Sequence, residues 1–121
     1  MAKTILVVDD SSAVRESVAF TLEQAGYSVV QAQDGQDGVN KAAASKPDMI
    51  ITDVNMPNLD GIGLVRKVRE DPANKFLPII ILTTEAQKTK MDEGKEAGAT
   101  GWIVKPFDAE KLLAVVKKVM P

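Results

Sequence analysis

The chain reads as an α/β protein, a doubly wound five-stranded parallel sheet built from five βα units. Two observations predict it. Short runs rich in Ile and Val recur along the chain and are mostly continuous rather than alternating, as strands buried on both faces are. Between them lie stretches with apolar residues at helical spacing, and strict alternation of strand and helix gives a parallel sheet covered on both sides. Composition agrees: 121 residues, 45% hydrophobic and 26% charged, are ordinary for one globular domain. A domain of this size buries roughly two-thirds of the surface its unfolded chain exposes.

The elements follow in order. The first strand is Thr4–Val8. Val14, Val18, Leu22 and Ala25 then recur at helical spacing and stop at Gly26, a natural C′ residue. The second strand, Tyr27–Ala32, leaves through Gln33-Asp34-Gly35, which reads as a turn into a helix over Gln36–Ser45. Strand three is Met49–Thr52, followed by a helix over Gly61–Glu70; strand four is Ile79–Thr83. The fourth helix, Ala86–Ala97, is out of line, because Met91 is its only large apolar side chain. Such a helix is either a solvated element or a weakly packed one free to move or dock a partner. Strand five is Gly101–Val104, and Asp108 caps a last helix whose stripe is Leu112, Leu113, Val116, Val119 and Met120. No linker, low-complexity tract or charge block divides the chain, so a single domain over 1–121 with no output domain is expected.

The missing residue types exclude whole classes of chemistry. With no Cys and no His, the chain has no disulfide, thiolate nucleophile, Cys/His zinc site, Ser-His-Asp triad or phosphohistidine. Any metal must be held by oxygen, which favours Mg²⁺, Ca²⁺ or Mn²⁺. A net charge of −2 and 4% aromatic residues give no electrostatic or stacking footprint for nucleic acid. Met-Ala-Lys-Thr runs straight into a strand rather than a signal peptide, and no apolar run approaches the roughly 18 residues of a membrane span. The expected location is cytoplasmic, away from membranes.

In an open parallel sheet, ligands bind beyond the carboxyl ends of the strands, where the strand order reverses. Asp9-Asp10, Asp53 with Asn55-Met56-Pro57, Thr83-Thr84, and Lys105-Pro106 all leave strands at that rim. Each alone is an ordinary cap, turn or loop residue. Together, three carboxylates would repel one another unless a cation sat among them. With few oxygen ligands on offer, Mg²⁺ keeping several waters is the best match. A carboxylate beside Mg²⁺ and an ammonium has the parts for phosphoryl transfer: Asp53 attacks in line, and the metal and Lys105 neutralise the equatorial oxygens. Thr83 supplies a hydroxyl to the transferred group, and no general base is needed because a carboxylate is already ionised.

A metal shared by Asp9, Asp10 and Asp53 also constrains topology. Strands one and three must be neighbours, about 4.8 Å apart. Strand two is then pushed to the far side of strand one, which gives the flavodoxin-like order 2-1-3-4-5. Right-handed crossovers put helices one and five on one face and helices two, three and four on the other.

Four segments, LVVDDS, DVNMPNLDG, ILTTE and GATGWIVKPF, sit at the ends of strands one, three, four and around strand five. Through them the chain resembles response-regulator receiver domains of two-component signalling, closest to stand-alone CheY-like chemotaxis regulators, and the resemblance covers essentially the whole chain. The resemblance implies that Asp53 is the phosphoacceptor. It implies Mg²⁺ bound directly by Asp10, Asp53 and the backbone carbonyl of Asn55, with Asp9 holding a metal-bound water. Thr83 and Lys105 match the pair that binds the phosphoryl oxygens. Trp102, three residues before Lys105, falls at the switch-aromatic position, where Tyr or Phe is commoner; indole keeps a donor but is larger. Asn55 and Glu85 fall at positions that flank the path of the hydrolytic water.

The partners so implied are a histidine kinase (CheA-like), a downstream target such as a flagellar switch protein, and a phosphatase. The protein itself is expected to be a monomeric signalling protein, not an enzyme in the ordinary sense. Phosphorylation is expected to draw Thr83 inward, with Trp102 following, and to alter the surface of helix four, strand five and helix five. Other readings fare worse. A haloacid-dehalogenase-type phosphatase needs an Asp two residues after its nucleophile, where this chain has Asn55. A flavin binder's first loop cradles phosphate, which Asp9-Asp10 would repel. A receiver serving as a phosphate sink, or in a pathway other than chemotaxis, is the nearest alternative role.

Overall fold

A computed structural model describes residues 3–84 and 88–120. Five strands alternate with five α-helices: β1 (Thr4–Val8), α1 (Ser12–Gln24), β2 (Ser28–Ala32), α2 (Gly35–Ser45), β3 (Met49–Asp53), α3 (Gly61–Arg69), β4 (Ile79–Thr84), α4 (Lys88–Ala97), β5 (Gly101–Lys105) and α5 (Ala109–Val119). A short 3₁₀ turn, Pro72–Asn74, precedes β4. All strand pairs are parallel, and the order is β2-β1-β3-β4-β5, as the shared-metal argument requires.

The sheet is buried on both faces. One core packs Ile5, Val7, Ile51, Leu82 and Ile103 against Val18 and Leu22 of α1 and Leu112 and Val116 of α5. The other packs Leu6, Val8, Ile50, Ile79 and Ile81 against Ala42 of α2 and Ile62, Leu64, Val65 and Val68 of α3. Adjacent strand residues serve opposite cores, which is why the runs are continuous in sequence. Each fully buried Ile or Leu contributes about 1.5–3 kcal/mol relative to leaving it exposed.

Helix starts are fixed at the rim. Ser11, Asp34, Asp60 and Asp108 accept from the backbone N–H groups of Val14, Asp37, Gly63 and Lys111, capping α1, α2, α3 and α5. Such a cap is worth about 1 kcal/mol. Asp34, read as a turn residue, is therefore the N-cap of α2. At the other end of α1, Gly26 and Tyr27 donate to the Glu23 and Leu22 carbonyls. This exit motif occupies Tyr27, so β2 starts one residue later than its apolar run.

Helix α4 packs through a residue that carries no hydropathy signal. Gly94 is buried, and a Cβ there would stand 2.6 Å from Ile81 Cδ1, so the glycine lets the helix lie close to β4. Met91 is half-buried, and Arg69 of α3 donates from Nη2 to the Gly98 carbonyl just past the helix at 2.9 Å. Ala86, the first residue of the sequence-derived helix, lies outside the described residues.

Candidate functional site

The site is built by register. β1 pairs with β3 up to Val8 and Thr52, so the next residues along the two strands are Asp9 and Asp53. Asp53 in turn pairs with Leu82, which places Thr83 one residue further along β4. Lys105 closes the row as the last residue of β5, and its peptide bond to Pro106 is cis.

The side chains converge. Carboxylate oxygens of Asp9, Asp10 and Asp53 lie within 4.8 Å of one another. Lys105 Nζ stands 3.1 Å from Asp53 Oδ1 and 3.6 Å from Asp9 Oδ2. Asp9 is fully buried, Asp53 half-buried and Asp10 exposed. Burial, followed by repulsion from Asp53, raises the Asp9 carboxyl above the usual carboxylate range, although the Ser11 N–H and Lys105 pull it down. Asp9 Oδ1 accepts from that Ser11 N–H at 2.9 Å. Asp9 Oδ2 and Thr83 Oγ1 are the buried side-chain oxygens that have no hydrogen-bond partner among the described residues.

Three carboxylates facing one ammonium leave two negative charges unbalanced when all are ionised, the charge of a single divalent cation. Asp9 Oδ2 has the same requirement, because it is buried without a hydrogen bond and its Lys105 partner stands off at 3.6 Å. An all-oxygen donor set suits a hard cation that keeps part of its water shell. The residues therefore fit Mg²⁺.

The remaining expectations fall around this pocket. Asn55 is exposed in the loop after β3. Trp102, beside Ile81 in the sheet, is 39% exposed, so the indole is not part of the core. Glu85 lies outside the described residues. Three residues that sequence reasoning did not single out support the rim. Arg15 Nη1 donates to the Asp9 carbonyl at 2.7 Å, and Asn58 Nδ2 donates to Asp34 Oδ2 at 2.9 Å. Gly61 lies so close to β3 that a Cβ would overlap the Asp53 carbonyl oxygen.

A family model described as the response regulator receiver domain matches residues 5–117. The chain belongs to that family. It is similar to the phosphate regulon transcriptional regulatory protein PhoB of Pseudomonas aeruginosa, 38% identical over 120 residues covering 99% of this chain and 52% of that protein. It thus spans about half the length of the curated relatives it matches. Among solved structures it is similar to the chemotaxis response regulator CheY4 of Vibrio cholerae, with 46% identity, a TM-score of 0.94, and coverage of 99% of this chain and 100% of that one. The receiver domain of the sensor histidine kinase PA1611 from Pseudomonas aeruginosa PAO1, whose active-site cleft holds a coordinated magnesium ion, is 28% identical with a TM-score of 0.89 over 98% and 97% of the two chains. A receiver domain is a signalling module rather than a conventional enzyme. Among the described residues, no helix is long and apolar enough to cross a membrane.

Proposed function

We propose that this chain works as a phosphorelay receiver: Asp53 takes a phosphoryl group from a histidine kinase, and the phosphorylated form changes its affinity for a protein target. The observation that carries this reading is the convergence of Asp9, Asp10, Asp53 and Lys105 on one rim.

Asp10, Asp53 and the Asn55 carbonyl would hold Mg²⁺, with Asp9 behind them. When bound, the ion supplies charge neutralisation for the phosphoryl oxygens. An Asp53 oxygen attacks phosphorus in line. The P–O bond to Asp53 forms as the P–N bond of the kinase phosphohistidine breaks, and the departing imidazole takes a proton from solvent. Lys105, already 3.1 Å from Asp53, offers its ammonium to the incoming oxygens. Thr83 brings a buried hydroxyl that has no hydrogen-bond partner among the described residues and can donate to a phosphoryl oxygen. Its inward movement, followed by Trp102, would re-shape the surface of α4, β5 and α5. By their match to the family pattern, Asn55 and Glu85 would set how long the phosphoryl group lasts.

The likeness to CheY4, which covers the whole of that chain, supports a role in chemotaxis. The test is affinity for flagellar switch peptides with and without beryllofluoride and Mg²⁺. Tighter binding in the activated state is the expected result. Unchanged or absent binding would move the chain to a phosphate-sink role or to another two-component pathway.

A further inference from the structure

We propose that Arg15 is a positioning residue for the cation pocket: bound to the Asp9 carbonyl, its guanidinium fixes the peptide that joins Asp9 to Asp10. The proposal rests on reading Asp9, Asp10 and Asp53 as the Mg²⁺ site.

Asp9 and Asp10 are consecutive, yet one carboxylate is buried and the other exposed. The direction of the second relative to the first is set by the peptide between them. The β1–β3 ladder ends at Val8 and Thr52, and the Asp9 N–H makes a last bond to Ala32 on the β2 side at 3.2 Å. The Asp9 carbonyl lies past this ladder, and Arg15 Nη1 donates to it at 2.7 Å.

Arg15 is well placed for that task. It stands in the first turn of α1, and its side chain runs back over the preceding turn, as helical side chains do. Its Nε donates to Gln31 Oε1 on the edge strand at 3.1 Å. Gln31 is itself held, since Lys41 Nζ donates to its backbone carbonyl at 2.7 Å while pairing with Asp37 at 3.2 Å. The guanidinium is thus braced from β2 and α2 while its other arm grips the rim. Among the described residues it forms no ion pair with a carboxylate, so its donors go to a carbonyl and an amide rather than to charge pairing. Removing it frees the Asp9–Asp10 peptide to rotate and spreads the ligands.

The test is calorimetric titration of the full chain with Mg²⁺, comparing wild type, R15M and R15K, with D10N as control and thermal unfolding in EDTA alongside. Loss of an outer-shell partner of a metal site costs roughly tenfold or more in affinity, and that is the loss expected for R15M. R15K retains one donor long enough to reach the Asp9 carbonyl and should regain most of the affinity. Met and Lys have similar stems, so a role in packing alone would not separate them. R15A, which keeps helix propensity, repeats the deletion should R15M not fold. Wild-type affinity in R15M or R15A, or R15K as weak as R15M, overturns the role of Arg15 while the metal reading stands on D10N. A wild-type chain that binds no Mg²⁺ overturns both.

Discussion

Lys105 Nζ stands 3.1 Å from Asp53 Oδ1, although the two residues end strands separated by β4. Neighbouring strands lie about 4.8 Å apart, so the backbones are roughly 10 Å from one another and the lysine stem must bridge the gap. A compact ammonium on a long stem does so; a planar guanidinium presents its donors differently. Lys105→Arg should therefore keep Mg²⁺ affinity within about threefold, as expected for a retained charge, while blunting activation. Trp102 fluorescence on adding beryllofluoride measures this, and a wild-type response would remove Lys105 from the switch.

Asp9 makes the metal-free chain sensitive to pH. Its carboxyl is raised by burial and by Asp53 from a usual value of 3.8. The native state therefore holds that proton more tightly than the unfolded state. Stability falls as pH rises from the unfolded value through the raised native one. Asp9→Asn removes this titration, so the metal-free variant should be more stable near neutral pH, by on the order of 1 kcal/mol. Urea unfolding in EDTA between about pH 4 and 7 should give a flatter stability profile for the variant. A profile that matches wild type would mean that Asp9 is comfortably ionised without metal.

Thr83 is 1% exposed, and its hydroxyl has no hydrogen-bond partner among the described residues. Thr83→Val replaces that hydroxyl with a methyl of similar shape. Stability of the unphosphorylated chain should hold or rise by up to about 1–3 kcal/mol, the cost of an unsatisfied buried group. The fluorescence response to beryllofluoride should be lost. A variant that is clearly less stable would show that the hydroxyl already has a structural bond.

Gly61 meets the backbone of the residue that matters most. Any Cβ there overlaps the Asp53 carbonyl oxygen, and the Gly61 N–H donates to Val54 O at 2.9 Å. Gly61→Ala should destabilise the chain by about 1–3 kcal/mol, as overpacking does, and slow phosphorylation by shifting β3. Unfolding midpoints and labelling rates from acetyl phosphate test both effects. An alanine variant of wild-type stability would contradict the close approach.

The strands were legible because burial on two faces writes itself as unbroken runs such as Met49–Thr52. Their ends were legible to within a residue, since Asp53 and Lys105 finish β3 and β5 rather than follow them. The rim residues could be read together because every parallel strand delivers its last residue to the same edge. What stayed hidden was support between elements. Nothing in the spacing of Arg15 shows that it reaches the Asp9 carbonyl, because that contact depends on how α1 lies against the sheet. Asn58 meets Asp34 across 24 positions for the same reason. Gly94 was hidden differently: α4 packs by the absence of a side chain, which hydropathy cannot record.

The central claim is that Asp53 accepts the phosphoryl group. Wild-type chain and Asp53→Asn are incubated with acetyl phosphate and Mg²⁺, and intact mass and peptide mapping locate the label. A phosphoryl group is expected on Asp53 of the wild type, lost on adding EDTA to the reaction and absent from the variant. Labelling of the variant to the wild-type level would contradict the account.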